Sequence, residues 1–154
     1  MARTKLVTVG LTLAVLAGVW MGTGTAIGGT SIHVVFGPGA RLAFLDQNRG
    51  GLRLGDSVAA RGPLLDPTTN QQVGSAYGTC WVARTLIHNH GLYNCTYLLK
   101  LAGGTIILQG LDPHGPGSSP FAVMGGSGIY KDASGDAVFT DSTTATDMQI
   151  TLTN

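Results

Sequence analysis

The chain has 154 residues, of which 44% are hydrophobic and 11% are charged, so it is long enough to bury one core as a single domain. Its 24 glycines and 6 prolines follow no collagen-like period, which excludes a collagen-like fibre and indicates many turns. The formal net charge of +1 comes without a basic stripe and argues against nucleic acid as a partner, while the absence of glutamate among the eight acidic residues excludes any mechanism that requires one.

Residues 1–26 have the pattern of a signal peptide. Met1 to Lys5 supply the positive end, Leu6 to Met21 form the apolar stretch, and small residues follow through Thr23 to Ala26. Cleavage near Ala26 leaves seven basic residues against eight Asp, and the mature protein is then expected to be secreted or extracytoplasmic, with no membrane attachment. An uncleaved anchor and a buried N-terminal helix are the alternatives.

Residues 30–154 are predicted to form one all-β domain. Short β-branched and aromatic runs alternate with Gly, Pro, Asn and Asp, and no helical period is sustained. The predicted strands are Ser31–Phe36, Arg41–Leu45, Ser57–Leu65, Val73–Ile87, Tyr93–Leu101, Thr105–Leu111, Pro120–Met124, Ala137–Thr140 and Ala145–Leu152. The predicted turns and loops are Asp66–Asn70, His88–Gly91, Ala102–Gly104 and Asp112–Ser119. Sequential hairpins favour an up-and-down meander, closed as a barrel or folded as a sandwich.

Glycines near the C-terminus predict that the sheet bends. The stretch Phe121–Gly135 joins an apolar strand to a corner rich in glycine, and glycines inside strands mark bulges or close backbone approach. Such devices allow a sheet to curl and close.

Several motifs lie in the order seen in a known family. They are Leu54–Val58 leading to Leu64–Asp66, then Gly78–Val82, Gly104–Gly110 and Ala122–Tyr130. Together they resemble the allene oxide cyclase and dirigent-like β-barrels. The resemblance spans roughly residues 31–140. It implies an eight-stranded antiparallel β-barrel with an elongated apolar cavity, often assembled as a dimer or trimer, that binds an apolar or aromatic small molecule.

The match to the plant cyclase pocket is partial. Cys80 falls on the cysteine of that pocket, and Val58 falls on an apolar wall position. Where the cyclase has a glutamate, an asparagine and a tyrosine, this chain has Phe36, Gly62 and Asp112 respectively. The resemblance therefore implies the barrel and its cavity, while these differences predict that the protein does not catalyse the cyclisation of allene oxide.

Alternation along the strands predicts which side chains face the cavity. If Cys80 points inward, Val82 and Arg84 share its face, as do Tyr93, Cys95, Tyr97 and Leu99 on the next strand. The residues predicted to orient a ligand carbonyl or carboxylate are Tyr93, Tyr97 and Arg84. The predicted walls are Val58, Cys80, Val82, Leu99 and Met124. Asp56 is the predicted partner of Arg84. In the alternative interpretation, Arg84 reaches solvent, Asp56 caps a turn and the tyrosines only pack.

The two cysteines predict a disulfide. Cys80 and Cys95 flank a hairpin, and an even number of cysteines in an exported protein favours pairing. Closing this loop is expected to contribute about 3 kcal/mol. A reactive pocket thiol is the alternative. His88 and His90, two apart at a hairpin tip, are better explained as a solvated loop than as metal ligands, and no metal or cofactor is predicted.

Two classes of function are consistent with these observations. The first is an exported barrel that binds an apolar or aromatic small molecule and steers its cyclisation or coupling by holding a reactive conformer and excluding water. The second is a non-catalytic carrier or structural domain that uses the same cavity or fills it with side chains.

Overall fold

The computed structural model describes residues 29–46, 51–86, 91–113, 115–142 and 145–153. The predicted signal segment, residues 1–26, lies outside the described residues, as does most of the predicted turn at residues 88–91. Within the described ranges, the search for a helix long and apolar enough to span a membrane found none.

The described chain is all-β, as predicted. Its strands are β1 (Thr30–Phe36), β2 (Arg41–Leu45), β3 (Ser57–Leu65), β4 (Gln72–Thr85), β5 (Gly91–Leu101), β6 (Gly104–Asp112), β7 (Gly117–Gly128), β8 (Gly135–Asp141) and β9 (Thr146–Leu152). Neighbours from β2 to β9 pair antiparallel in chain order, and β9 pairs with β1. The predicted meander is therefore confirmed.

The barrel closes because β1 and β2 together occupy one strand position. Both pair with β3: Phe36 lies opposite Leu64, and after a short break Arg41 lies opposite Arg61. Gly37 sits in the break, where its N–H donates to the Pro63 carbonyl at 2.8 Å. The nine segments thus form a closed, eight-stranded antiparallel barrel, which confirms the architecture expected from the sequence.

Large apolar side chains fill one end of the barrel. Residues that alternate along the strands point inward, and the fully buried ones include Leu64, Leu99, Ile106 and Ile150. These four come from the C-terminal halves of β3, β5 and β9 and the N-terminal half of β6, which meet at the same end of the barrel. These buried side chains pack this end of the barrel.

Strand β7 is longer than predicted. It runs from Gly117 to Gly128 and not only from Pro120 to Met124, so the predicted loop from Asp112 to Ser119 shrinks to the few residues between β6 and β7. The register shifts between Ile107 and Leu108, opposite the glycines of β7. Gly125 has φ +120°, a conformation that side chains rarely adopt. The glycine-rich segment is therefore a bulge within the strand, as the sequence indicated.

Candidate functional site

A cavity of about 520 Å³ opens at the end of the barrel opposite the packed one. The elements around it are the end of β1, strand β2, the loop after β6 and the connection between β8 and β9. Its lining includes Phe36, Leu42, Ala60, Tyr97, Asp112 and Met148. The volume falls in the range typical of sites for drug-sized ligands.

The mouth of the cavity is apolar and open along β2. Leu42 lies opposite Ala60 and Phe44 lies opposite Val58, so both β2 side chains project from the inward face of the sheet. They are nevertheless 69% and 50% exposed, respectively. Among the described strands, β3 is the only one paired with β2. The cavity therefore opens sideways as well as through the barrel end.

The Tyr97 ring forms the floor of the cavity, and two further aromatic rings of the core support it. Tyr97, Phe121 and Phe139 come from β5, β7 and β8. The Phe121 and Phe139 rings stack with their centroids 4.2 Å apart, and the Tyr97 ring meets them at 5.6 and 5.0 Å. Such pairs contribute about 0.5–1.5 kcal/mol each beyond the area they bury. This cluster gives the cavity a rigid aromatic base against which a flat or unsaturated ligand can pack.

A glycine on the neighbouring strand fixes the position of Tyr97. Gly78 lies opposite Tyr97 on β4, and a Cβ at this position would approach the tyrosine ring to 2.4 Å. The ring covers the bare backbone, and its hydroxyl lies 3.7 Å from Cys80 Sγ. Burial, followed by the charges of Asp112 and Asp141, raises the pKa of Tyr97 well above its ordinary value. The phenol is therefore a hydrogen-bond donor at neutral pH and not a base.

Asp112 places a carboxylate in this largely apolar interior. It is 7% exposed, and the Ser119 hydroxyl donates to its Oδ1 at 3.3 Å. Asp112 lies opposite Tyr93. Burial is the largest cause that raises the pKa of Tyr93, and the negative charge of Asp112 is the second. A second carboxylate, Asp141, reaches the cavity and accepts a hydrogen bond from the Thr146 hydroxyl. None of the described lining residues is basic, so the cavity favours cations and hydrogen-bond donors over anions.

The predicted disulfide is confirmed. Cys80 and Cys95 lie directly opposite each other on β4 and β5 and are bonded. Both are buried on the inward face, and Cys80 contacts the Tyr97 hydroxyl. The bond ties together the two strands that carry Gly78 and Tyr97, and it leaves neither sulfur as a free thiol.

The structure places most of the predicted wall residues inward. Val82, Tyr93 and Leu99 are buried, and Val58 is half-buried against the core. Tyr97 alone among the predicted orienting residues lines the cavity itself, while Tyr93 lies opposite Asp112 beneath the rim. The roles predicted for these residues stay predictions.

Two residues lie elsewhere than predicted. The expectation that Arg84 shares the inward face of Val82 is wrong, because a register shift between these two residues turns the strand and leaves Arg84 exposed. Met124 is 57% exposed on the outer face, since Phe121 and Val123 occupy the inward positions of β7. It is therefore not a wall of the cavity.

Asp56 lies where the alternative interpretation put it, in a turn. It is fully buried, and its carboxylate accepts the Arg53 N–H at 2.8 Å. Its backbone carbonyl also accepts the Val82 N–H at 2.9 Å, which ties the turn to β4. Asp56 is buried, whereas its predicted partner Arg84 is exposed to solvent.

Sequence reasoning missed one residue that lines the cavity, Asp112, and two that support its Tyr97 floor, Phe121 and Phe139. Asp112 entered only as a departure from the cyclase pattern, and Phe121 and Phe139 were not singled out. The alternation of large and small residues along β7 and β8 was the available signal for both phenylalanines. Phe36 and Asp112, two of the positions at which the sequence departs from the cyclase pattern, both line the cavity.

Comparison with known proteins finds the likeness in structure and not in sequence. No family model matches the chain, and no curated protein matches it. Among solved structures, a pyocyanin demethylase has a TM-score of 0.69 at 22% identity, covering 80% of this chain and all of the other. A heme-binding cyclase that catalyses a [4 + 2] cycloaddition in neoabyssomicin biosynthesis has a TM-score of 0.64 at 16% identity, covering 81% of this chain and 64% of the other.

A third solved structure extends the likeness over almost the whole chain. It is the pterocarpan synthase dirigent protein, with a TM-score of 0.62 at 16% identity, covering 96% of this chain and 98% of the other. The chain has the fold of the dirigent and cyclase barrels. This confirms the barrel expected from the sequence motifs, and at these identities the likeness concerns the fold alone.

Proposed function

We propose that this protein binds an unsaturated or aromatic small molecule in the barrel cavity and steers its cyclisation. The observation that carries the proposal is the floor of the cavity of about 520 Å³, where the Tyr97 ring packs on Phe121 and Phe139 of the core. Such a floor favours flat π-systems over flexible aliphatic chains. The solved structures of similar fold include cyclases, a demethylase and a dirigent protein, which supports a role in small-molecule processing.

The polar groups of the cavity define how the ligand would be held. The Tyr97 hydroxyl stays protonated, and it would donate a hydrogen bond to a ligand carbonyl oxygen. The Asp112 carboxylate would accept a hydrogen bond from an N–H or O–H group at the other end of the ligand. A ligand fixed at both ends above the aromatic floor loses most of its rotational freedom before it reacts, and this restriction lowers the barrier to ring closure.

Cyclisation fits this site because it needs no co-reactant. Ring closure of a polyene converts π-bonds of the ligand into σ-bonds of the ring, and no atom or electron enters or leaves. Oxidative coupling, by contrast, would require an external oxidant to generate the radicals. The proposal therefore concerns closure within one bound molecule, assisted by hydrogen bonding from Tyr97 and by exclusion of water from the floor.

A binding experiment with matched variants tests this proposal. Aromatic and polyene compounds that carry a carbonyl would be titrated into the mature protein, with Tyr97→Phe as the test variant and Tyr130→Phe as the control, because Tyr130 lies in the turn after β7 and outside the cavity lining. We expect Tyr97→Phe to weaken binding about tenfold and to slow any ring closure further. Equal affinity and equal turnover for both variants would contradict the assigned role of Tyr97.

A carrier without catalytic activity is the second candidate function. The observation that favours it is the open mouth, where Leu42 is 69% exposed and leaves the cavity in contact with solvent. An open site exchanges ligand readily but excludes water poorly. Recovery of unchanged ligand after prolonged incubation, with an affinity that still depends on Tyr97, would favour the carrier.

A further inference from the structure

Charged residues are segregated around the barrel wall. Strands β2 to β5 contain four basic residues and no acidic one, whereas β6 to β9 contain four acidic residues and no Lys or Arg. The basic set is Arg41, Arg61, Arg84 and Lys100. The acidic set is Asp112, Asp136, Asp141 and Asp147. Because Asp112 and Asp141 line the cavity, the clearest charged feature of the outer wall is its cationic side, which attracts anionic ligands.

Two arginines face each other on the outer surface of the cationic side. Arg41 on β2 lies directly opposite Arg61 on β3, and Arg61 lies opposite Tyr77 on β4. Both arginines are exposed, and their Cβ atoms are expected to lie about 4.5–5.5 Å apart in this register. Among the described residues, neither guanidinium has a hydrogen bond or an ion pair. Like charges placed directly opposite each other destabilise a sheet unless an anion lies between them.

A groove runs along this outer surface beside the arginines. Two adjoining depressions of about 530 and 370 Å³ share Arg41, Arg61 and Tyr77 in their linings. The larger one has a floor of small residues, Ala43, Ala59 and Thr79. Tyr77 is 49% exposed at its edge. The groove thus combines an apolar trough, an aromatic edge and two guanidinium groups where the two depressions meet.

We propose that this groove binds a small organic anion. Its carboxylate, sulfate or phosphate group would lie between Arg41 and Arg61, where planar guanidinium groups donate paired hydrogen bonds to oxyanions. Its flat apolar body would lie in the trough against Tyr77. The two arginines and Tyr77 lie on the outer face of the sheet and do not line the cavity, which shares only Leu42 and Ala60 with the groove. The cavity lining carries Asp112 and Asp141 and repels anions. The proposal is therefore independent of the function proposed for the cavity.

A matched pair of probes tests the charge requirement. Naphthalene-2-sulfonate and the uncharged naphthalene-2-sulfonamide would be titrated by calorimetry into the mature protein at low and high salt. We expect the sulfonate to bind at least about tenfold more tightly, and to lose that advantage as salt rises. The variant Arg41→Gln/Arg61→Gln should abolish the difference, while Arg84→Gln, an exposed cation of the same wall outside the groove, should keep it.

NMR locates the binding site. Addition of the sulfonate should shift the backbone amide signals of Ala59, Arg61 and Tyr77 and leave those of Tyr97 and Phe139 in place. Shifts confined to the cavity residues, or equal affinity in the double variant and the Arg84→Gln control, would overturn the proposal. Since the substituted residues are exposed, the double variant is expected to fold, and its melting temperature should be no lower than that of the wild type.

Two further experiments distinguish a small anion from other negatively charged partners. Vesicles of phosphatidylglycerol and phosphatidylcholine test for a lipid surface, and binding to these vesicles without binding of the soluble sulfonate would overturn the assignment. Sedimentation across a range of protein concentrations tests whether the acidic side of a second copy occupies the groove. Self-association that the double Arg variant abolishes, with no sulfonate binding, would likewise overturn it.

Discussion

The packing of Tyr97 over Gly78 predicts a specific effect of adding one methyl group. In Gly78→Ala, the new Cβ would lie 2.4 Å from the tyrosine ring, whereas carbon atoms in contact are ordinarily about 3.5–4.0 Å apart. The ring must retreat by about 1 Å, and Phe121 and Phe139 pack against it with centroids at 5.6 and 5.0 Å. The Tyr97 ring cannot move by this distance without disturbing the aromatic floor.

The magnitude follows from two opposing effects. Overpacking a well-filled interior costs about 1–3 kcal/mol, while replacing glycine by alanine within a strand returns about 0.5–1 kcal/mol. The net expectation is a loss of roughly 0–2.5 kcal/mol, centred near 1 kcal/mol, in the free energy of unfolding. Urea titration followed by circular dichroism would measure it. Gly115→Ala is the matched control, because a Cβ at residue 115 meets no heavy atom within 4 Å.

A double-mutant cycle separates steric conflict with Tyr97 from any general intolerance of position 78. In a Tyr97→Leu background the ring is gone, so Gly78→Ala should cost nothing or stabilise slightly. Ligand affinity should also fall in Gly78→Ala, because the displaced ring changes the shape of the floor. If Gly78→Ala changes the free energy of unfolding equally in both backgrounds, the assigned packing of Tyr97 is refuted.

Three other predictions concern the same region. Mass spectrometry of alkylated, non-reduced protein should detect no free thiol, and Cys80→Ala/Cys95→Ala should lower the free energy of unfolding by about 3 kcal/mol in urea titrations; a free thiol or unchanged stability would contradict the bond. The raised pKa of Tyr97 means that the unfolded chain loses this proton first, so stability should hold below pH 10 and fall above it, and less steeply in Tyr97→Phe. Asp112→Asn should lower the Tyr97 pKa toward its ordinary value in an ultraviolet titration, and an unchanged pKa would contradict the influence of the Asp112 charge on Tyr97.

The regular strands could be predicted from the sequence because their signals are local. Ser57–Leu65 and Arg41–Leu45 have the bounds predicted for them, since turn residues flank β-branched and apolar runs. Strand β7 was predicted too short, because its serines and glycines are typical of turns. Its neighbours β6 and β8 supply the pairing that extends it to Gly117–Gly128, and such pairing between distant segments leaves no local signal.

The site was predictable only in part for the same reason. Strict alternation correctly placed Cys80, Cys95 and Leu99 inward, but it failed at Arg84, where a bulge breaks the period of two. Strands β1 and β2 occupy one strand position because both pair with β3. No local sequence pattern indicates this pairing. This arrangement leaves the cavity open on the side of Leu42. The comparison with the cyclase motifs identified Asp112 only as a position at which this chain differs from the cyclase pattern. Its position opposite Tyr93 makes it part of the site.

The central claim is that the barrel holds a small molecule above its aromatic floor. Native mass spectrometry of the mature protein, taken directly from the cells that produce it, tests this claim most directly when the wild type is compared with Ala60→Phe, which fills the cavity from its β3 side. The account predicts an added mass of a few hundred daltons, typical of drug-sized ligands, on the wild type and none on the variant. An empty wild-type protein that also fails to bind a neutral hydrophobic dye, or a ligand retained equally by both proteins, would contradict it.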